Sequence, residues 1–411
     1  MLRDPIGFLE QRYRAHGEVF RSCFGIPVVF LVGPEANKHL MLSGREQYSH
    51  QQGYQQSAFG RVFAGSLALE DGEQHQHDRD ILQPAMGRMA LAENLEAIQS
   101  IWERAADSLA AGRTREIYSF VRDATFEVAA KALLNLELGN ELDRSKSLFE
   151  RLIAGAMAPL PLRIPFGRID RGLRAREELI RLLVPRIEEA RTRPPQGMLG
   201  ALAHYQADGA PLHSRRIAEH LLLLFWAGYD TTASTGSWML FELARASQWQ
   251  EQLREEEVRV LGSRRMSMAE SESLPAHALV LKEVERLRPA TLFHPRRTTA
   301  EVEVCGKPIP AGTMVFYSPY LSHRIEAIFP RPEVFDPSRW SGQKPAPSTA
   351  LVGFGGGPRI CLGKAFALLQ LRVMLTSLLR RYRLEVAAPG VTVPLPTHRL
   401  KDAQVRFEPL A

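Results

Sequence analysis

The chain has 411 residues and a formal net charge of +6 at pH 7. Hydrophobic residues make up 45% and charged residues 24%, a composition that excludes a disordered, collagen-like or low-complexity protein. Its three cysteines, Cys23, Cys305 and Cys361, stand at unrelated spacings, which argues against a disulfide scaffold and indicates a reducing compartment.

Neither a membrane span nor a nucleic-acid surface is predicted. The N-terminal region lacks the continuous apolar stretch of about 18 residues that crosses a bilayer, and it lacks the apolar segment of a signal peptide. The most hydrophobic run, Leu221–Ala227, is short and fits a buried helix better. The arginines are scattered through predicted helices, so the positive charge does not indicate nucleic acid. We therefore expect a cytoplasmic protein without a transmembrane anchor.

The first predicted elements are a helix over residues 5–16 and paired strands over 19–25 and 27–33. The strands are predicted because β-branched and aromatic residues cluster between Gly and Pro. Apolar residues at spacings of three and four then predict a series of helices. These helices cover residues 72–88, 91–111, 115–136, 140–158, 170–192, 214–245 and 275–288.

The pattern changes after Pro289. Residues 298–318 alternate like strands with Gly and Pro turns, and a Pro-rich irregular stretch leads to Gly353. Helical periodicity returns from Cys361 to Arg381, and residues 383–388 and 403–410 are predicted as strands. No repeat or linker divides the sequence, so we expect one domain over residues 1–411, mainly α with small β-sheets.

A glycine-rich turn delivers a single cysteine to the start of a helix. Its sequence is FGGGPRICLG, residues 354–363, and we call it the cysteine loop. The glycines let the backbone approach a flat ligand, and amides at a helix N-terminus favour a thiolate. Arg359 can place a cation beside an anionic substituent of that ligand. A thiolate held in this way can be the axial ligand of haem iron.

Other interpretations of this turn are a buried structural cysteine, a phosphate loop and a zinc site. A lone cysteine often behaves as a small buried hydrophobe. The phosphate loop is excluded because no Lys-Ser or Lys-Thr follows the glycines. The zinc site is excluded because no His–Cys pair has ligand spacing.

The full turn resembles the haem-binding signature of the cytochrome P450 family. The matching positions are Phe354, Gly357, Arg359, Cys361 and Gly363. Matching segments extend from about residue 5 to the C-terminus; one departure is Trp340, where the family usually has Phe. The resemblance implies the family's triangular-prism fold, haem b (iron protoporphyrin IX) as cofactor and Cys361 as the iron ligand. Gly355 of the same turn is also expected to bind the cofactor.

Residues 227–232, AGYDTT, place polar groups in the longest predicted helix. Gly is about 1 kcal/mol less favourable than Ala in a helix, and threonines compete for backbone carbonyls. Alone, this break is also typical of a solvated or kinked helix face. The resemblance implies that Asp230 relays protons, that Thr231 hydrogen-bonds to dioxygen, and that Ala227 leaves room for oxygen and substrate.

Two helical ion pairs at the same spacing compete for a structural role. Glu283 and Arg286 are one pair, and Glu285 and Arg288 are the other. Exposed pairs of this kind contribute only a few tenths of a kcal/mol. The resemblance favours the first pair and implies that Arg339 joins it in a buried network behind the cysteine loop.

The resemblance also implies cations at the edge of the haem, because its two propionates need partners. His75 and Arg79 lie one turn apart on the same helical face, and Arg296 is preferred over Arg297 on the following strand. Arg359 is the fourth expected partner. For His75 alone, an ordinary surface histidine is an equally good interpretation.

The expected function is a haem-thiolate monooxygenase. Such an enzyme would insert one atom of O2, by hydroxylation or epoxidation, into an apolar organic substrate of natural-product, terpenoid or lipid type. Electrons would come from NAD(P)H through a reductase and a ferredoxin or flavodoxin-type donor. Cations near the cysteine would attract an acidic donor, and turnover would weaken as salt rises. These cations are Arg359, Lys364, Arg380 and Arg381.

Two alternatives keep the haem. One is a peroxide-using or rearranging enzyme that needs no electron donor, and Asp230 with Thr231 argues against it. The other is a haem-binding sensor without enzymatic activity, for which a buried acid–alcohol pair has no purpose.

The substrate pocket is expected to draw on segments 50–69, 225–227, 292–294 and 395–398. Among them, the candidate pocket residues are Phe225, Trp226, Ala227, Leu292 and Phe293. Large apolar side chains are equally typical of core packing. The expected ligand is apolar with some polar contacts.

Overall fold

A computed structural model describes residues 4–23, 25–109, 113–135, 140–207, 209–342 and 346–410. Helices form most of this structure. In chain order they are α1 (Pro5–His16), α2 (Pro34–Lys38), α3 (His50–Tyr54), α4 (Ala58–Val62), α5 (Gly72–Leu82), α6 (Arg88–Asp107), α7 (Ile117–Leu134), α8 (Asn140–Ala156), α9 (Arg168–Arg191), α10 (Gly197–Ala203), α11 (Ser214–Ala244), α12 (Ser247–Leu261), α13 (Met268–Glu272), α14 (Pro275–Leu287), α15 (Pro319–Ser322) and α16 (Lys364–Leu379).

Short strands form small sheets beside the helices. The strands are β1 (Val19–Cys23), β2 (Pro27–Leu31), β3 (Tyr48–Ser49), β4 (Arg113–Glu116), β5 (Gln206–Ala207), β6 (Ala210–Pro211), β7 (His294–Thr298), β8 (Val302–Val304), β9 (Lys307–Ile309), β10 (Met314–Tyr317), β11 (Tyr382–Ala388), β12 (Val391–Val393), β13 (Arg399–Lys401) and β14 (Gln404–Pro409). The largest sheet has the order β1-β2-β10-β7-β3, and a second has the order β11-β14-β4. In the largest sheet, β2 and β10 are parallel and the other neighbours are antiparallel.

The longest helix, α11, runs through the main hydrophobic core. It packs against α7, α9, α14 and α16, and its run Leu221–Phe225 is buried. Its second half is joined to the loop between β12 and β13, residues 394–398, which we call the C-terminal loop. Ser234 Oγ and Trp238 Nε1 donate to the carbonyl of His398 in this loop at 2.6 and 2.9 Å. These bonds hold the polar segment of α11 in a fixed position. No helix within the described ranges is both long and apolar enough to span a membrane.

The structure confirms the predicted mainly α class and most predicted elements, with shifted ends. The helix expected over 72–88 ends at Leu82, because Pro84 has no N–H to continue it and opens a 3-10 turn. Residues 115–116 belong to β4, so the next helix begins at Ile117. Helix α12 was not predicted. Residues 24, 110–111 and 136, which belong to predicted elements, lie outside the described residues.

Candidate active site

A cavity of ≈ 330 Å³ lies between α11 and the loop before α16. From α11 it is lined by Trp226, Ala227, Gly228, Thr231, Thr232 and Thr235. From the loop it is lined by Gly353, Phe354, Gly355, Arg359, Cys361 and Gly363. Most of the surrounding side chains are apolar, as in small-molecule sites generally. The cysteine loop and the polar segment of α11 are separate in the sequence, and the fold brings them to the same cavity.

The glycines of the cysteine loop are required by its backbone. Gly357 has φ +60°, and a Cβ there would collide with the carbonyl oxygen of Met41. Gly355 has φ +71°, a conformation that other residues rarely adopt. Apart from the two neighbouring residues, no atom of the described part of the chain lies within 4 Å of the Cβ position at Gly363, so the space beside this residue is open to a flat ligand. The N–H of Cys361 donates to the carbonyl of Phe354 at 2.8 Å and closes the turn.

The thiol of Cys361 is exposed to the cavity. Burial within the protein raises its pKa, and the Gly363 N–H, Arg79 and Lys364 only partly counteract this effect. The sequence argument that helix amides favour a thiolate is thus insufficient, since α16 begins three residues later at Lys364. A coordinated metal cation deprotonates a thiol directly, so iron would supply the charge that the protein does not.

Two arginines near the cavity, buried Arg296 and half-buried Arg79, fit the carboxylates of haem. Arg296 is 6% exposed, and no carboxylate among the described residues lies within 4.0 Å of its guanidinium. Burial lowers the pKa of Arg296, a cost that an anionic partner would offset. Arg79 likewise has no ion-pair partner in the described ranges, and burial lowers its pKa as well. These two arginines could hold the propionates of haem b.

The other two expected propionate partners differ from Arg296. Arg359 already contacts Asp71 Oδ1 at 2.7 Å, and burial lowers its pKa to about 10. His75 is 6% exposed, and burial followed by the charges of Arg359 and Arg79 lowers its pKa to about 4. His75 is therefore neutral at pH 7 and could offer one N–H. It is not a surface histidine, which was the alternative interpretation.

His50 is a cavity residue whose role sequence reasoning missed. It begins the segment expected to contribute to the pocket, and both of its ring nitrogens are buried without a hydrogen-bond partner in the described part of the chain. Burial, followed by the charges of Arg296 and Arg359, lowers its pKa. No local pattern identifies it, because its surroundings come from distant segments.

Asp230 lies at the centre of a buried hydrogen-bond chain. Its Oδ1 accepts a bond of 2.8 Å from Tyr118 of α7, and its Oδ2 accepts one of 2.6 Å from Thr397. Thr231 lines the cavity, and its hydroxyl donates to the carbonyl of Ala227 at 2.6 Å. The neighbouring Thr232 hydroxyl is buried and has no partner among the described residues. Tyr118 and Thr397 were missed because each lies far from α11 in sequence.

The network of Glu283, Arg286 and Arg339 is assembled, with Glu283 and Arg286 completely buried. Arg286 is bidentate to Glu283 at 2.7 and 2.9 Å, and Arg339 Nε contacts Glu283 at 3.0 Å. Trp340, the departure from the family pattern, adds an indole N–H bond of 2.9 Å to the same carboxylate. Arg286 also donates to the carbonyls of His323, Pro332 and Val334.

The competing pair does not form. Arg288 contacts Glu242 at 2.9 Å instead. Glu285 lines the cavity and accepts hydrogen bonds from the backbone N–H groups of Gly353 and Phe354. Burial raises its pKa to about 7. Glu283 and Glu285 thus face different parts of the protein, and Glu285 holds the start of the cysteine loop.

The expected pocket residues fall into two groups. Trp226 and Ala227 line the cavity. Phe225 is completely buried in the core, where it stacks on Phe149 at 3.9 Å. Leu292 and Phe293 pack in a separate cluster with the largest sheet. The structure therefore does not bring Phe225, Leu292 or Phe293 to the cavity surface, and core packing explains them.

The cations expected near the cysteine are mostly paired. Arg359 contacts Asp71, Arg380 lies 3.7 Å from Glu257, and Arg381 contacts Asp107. Lys364 has no carboxylate partner in the described residues and lies over the Phe354 ring at 5.2 Å. The free positive charge on this face is therefore smaller than the sequence predicted.

Comparison with known proteins agrees with this arrangement. The family model described as Cytochrome P450 matches residues 4–405. A protein named Putative cytochrome P450 136, from Mycobacterium tuberculosis (strain CDC 1551 / Oshkosh), is 30% identical over 95% of this chain and 80% of its own. Cyclooctat-9-en-7-ol 5-monooxygenase from Streptomyces melanosporofaciens is 28% identical over 95% of this chain and 87% of its own.

A solved structure, retinoic acid bound cyanobacterial CYP120A1, superimposes with a TM-score of 0.89 at 27% identity and covers 99% of this chain and 95% of that one. The fold and the family are therefore those expected from the cysteine loop. The chain belongs to the cytochrome P450 family, as an oxidoreductase of the monooxygenase type that uses haem b and O2 and takes electrons from NAD(P)H through a reductase.

Proposed function

We propose that this protein oxygenates an apolar, isoprenoid-type substrate bound between α11 and the cysteine loop, by hydroxylation or epoxidation. The observation that carries the proposal is the largely apolar wall of the cavity around Cys361. Two similar proteins support the compound class, since one is named for cyclooctat-9-en-7-ol and the other contains retinoic acid. Both names denote isoprenoid molecules.

The wall opposite the cysteine loop is shaped by aromatic stacking. Trp226 stacks on Phe63 at 5.5 Å, and Phe59 contacts both rings at 5.0 and 5.5 Å. Such a cluster excludes water and favours a large apolar ligand over a polar one. The Trp226 indole N–H is buried without a partner in the described residues, so it could donate to a single oxygen of the substrate.

The bound haem would supply the iron that activates O2. Cys361 would coordinate it, and Arg79, Arg296, Arg359 and His75 would bind its carboxylates. Asp230 would hold a proton at its carboxylate, between Tyr118 and Thr397, beside the cavity. Thr231 would orient its hydroxyl toward the space above Ala227 and Gly228 when it releases its bond to the Ala227 carbonyl.

We also propose that a ferredoxin or flavodoxin-type protein delivers the electrons to a single cytoplasmic domain. Lys364, beside the cysteine loop, offers a charge to an acidic donor. This electrostatic contribution is modest because the neighbouring arginines are paired, so we expect a shallow dependence of turnover on salt.

The compound class is tested with the haem-loaded protein. Spectral titration should give saturable binding of a diterpene alcohol and of retinoic acid, and a reconstituted electron chain should yield products with one added oxygen atom. Ala227→Leu should weaken this binding because the added side chain enters the cavity, whereas exposed Met89→Leu should not. Fatty acids that bind and react while every isoprenoid fails would contradict the proposal.

A further inference from the structure

Glu285 places a carboxyl group in the wall of the cavity that contains Cys361. It lies on α14, two residues after Glu283, whose bonds to Arg286 and Arg339 fix this part of the helix. Unlike Glu283, Glu285 has no cation within 4.0 Å of its carboxylate among the described residues. Carboxyl groups held away from water without an ion pair are costly, and they concentrate at functional sites.

The carboxyl group of Glu285 is held against the start of the cysteine loop. It accepts hydrogen bonds from the backbone N–H groups of Gly353 and Phe354. The approach is close, because a Cβ on Gly353 would lie 2.5 Å from Glu285 Cγ and 2.9 Å from its Oε1. The side-chain carbonyl of a glutamine could accept the same two bonds, so the bonds do not by themselves require an acid.

The charge of Glu285 acts on the sulfur of Cys361. Burial is the main cause of the raised pKa of the Cys361 thiol, and the negative charge of Glu285 raises this pKa further. Burial also raises the pKa of Glu285 itself to about 7, against the positive charges of Lys364 and Lys282. Negative charge beside a metal ligand favours the more oxidised state of the metal, because reduction adds a further negative charge to the site.

We propose that the Glu285 carboxylate acts through Cys361 to lower the reduction potential of the haem iron, and that Lys364 opposes this effect. Reduction takes one electron from an external donor and converts ferric to ferrous iron. The two side chains therefore change, with opposite signs, how readily the iron accepts this electron. The effect rests on Cys361 as the iron ligand, as in the proposed function, and does not depend on the substrate.

The test is a spectroelectrochemical titration of the haem-loaded full chain without substrate. It is made at pH 8, above the Glu285 pKa of about 7, so that the carboxyl group is mostly charged. The readout is the ratio of ferrous to ferric iron at the midpoint potential of the native protein. This ratio does not depend on turnover or on an electron-transfer partner.

Glu285→Gln keeps the side-chain length and a hydrogen-bond acceptor but removes the charge, so the ferrous-to-ferric ratio should rise about fivefold or more. A unit charge acting across about 15 Å at an effective dielectric constant of about 20 gives a change of this size. Glu285→Asp keeps the charge and should lie closer to the native protein. Lys364→Gln removes the opposing charge and should lower the ratio.

The matched control is Asp107→Asn, which also removes one negative charge. Asp107 is exposed and contacts Arg381, just beyond the far end of α16. This helix has 16 residues and separates Asp107 from the cysteine loop by ~24 Å. The control should give the native ratio, because salt screens exposed charges at such distances.

The absorbance of the ferrous carbonyl complex reports whether the thiolate still binds the iron. If the native complex absorbs like imidazole-ligated iron, Cys361 is not the ligand, and the iron site of the proposed function fails as well. With thiolate ligation intact, the tuning role of Glu285 is wrong if Glu285→Gln stays within twofold of the native ratio, or if Asp107→Asn shifts it equally. A rise of the ratio in Lys364→Gln would also contradict it, since disturbance of the loop would then be the cause. Should Glu285→Gln not bind haem, the sign of the Lys364→Gln shift decides.

Discussion

Thr397 donates a hydrogen bond of 2.6 Å to Oδ2 of Asp230, and this bond connects the C-terminal loop to the middle of α11. The same loop is held on α11 by bonds from Ser234 and Trp238 to the His398 carbonyl. With Tyr118 on its other oxygen, the Asp230 carboxylate has both acceptor atoms occupied by hydroxyls. Its orientation is therefore set by α7 and the C-terminal loop together.

We predict that Thr397→Val and Tyr118→Phe each uncouple electron use from substrate oxygenation. Each variant removes one donor from a buried carboxylate, which costs about 1–3 kcal/mol of stability and lets Asp230 reorient. The fraction of NAD(P)H that ends in product should fall, and peroxide should rise. The measurement is the ratio of product, peroxide and consumed NAD(P)H.

Tyr382→Phe is the matched control for these variants. It removes a buried tyrosine hydroxyl that bonds to the carbonyls of Ala106 and Leu109, away from the cavity. Its stability loss should be comparable, but its product ratio should equal that of the native protein. If all three variants uncouple NAD(P)H use from oxygenation equally, the effect is a general loss of stability, and Tyr118 and Thr397 do not act by positioning Asp230.

Thr231→Ala should separate the monooxygenase from an enzyme that needs no electron donor. In a monooxygenase, loss of this hydroxyl leaves NAD(P)H consumption running but diverts oxygen to peroxide. Thr232→Val, which removes the adjacent hydroxyl that has no partner in the described residues, should leave the product ratio close to native. An unchanged product yield from Thr231→Ala, with peroxide as the only oxidant, would favour the peroxide-using alternative.

The cysteine loop was predictable because its chemistry is local. Residues 354–363 carry the glycines, Arg359 and Cys361 in one continuous segment, so spacing alone constrains the ligand that they can bind. The same holds for AGYDTT on α11. Helix ends were less predictable where Pro84 stopped one helix and β4 displaced the start of another, since periodicity continues across both boundaries.

Contacts between distant segments could not be predicted. Tyr118 and Thr397 meet Asp230 only because α7 and the C-terminal loop pack on opposite sides of α11. Phe225 and Trp226 were both expected in the pocket, but adjacent helical residues point about 100° apart, and Phe225 faces Phe149 instead. The sequence predicts that this segment of α11 contributes to the pocket, but only the packing of the helix determines which of its residues face the cavity.

Glu283→Gln should be among the most destabilising single changes. It leaves the buried Arg286 and the largely buried side chain of Arg339 without their shared carboxylate, and the expected loss is about 3–5 kcal/mol. Denaturant unfolding of the haem-loaded protein measures it. The control is Glu103→Gln, which breaks a more exposed pair with Arg265 and should cost at most about 1 kcal/mol. Equal losses in the two variants would show that the Glu283 network contributes no more than a surface pair.

The buried His277 predicts a pH dependence of stability far from the haem. Burial opposes its protonation, but hydrogen bonds to Glu256 at 2.8 Å and Glu257 at 2.9 Å outweigh burial and raise its pKa. Because the folded pKa lies above the unfolded value of 6.5, this stabilisation is full below pH 6.5 and is lost as pH rises through the folded pKa. His277→Gln should therefore be much less stable than the native protein at pH 6, and the difference should narrow at alkaline pH. Urea unfolding across this range measures it, with the exposed His77→Gln variant expected to follow the native curve. A difference that is constant with pH would mean that His277 contributes by packing and neutral hydrogen bonds, without its charge.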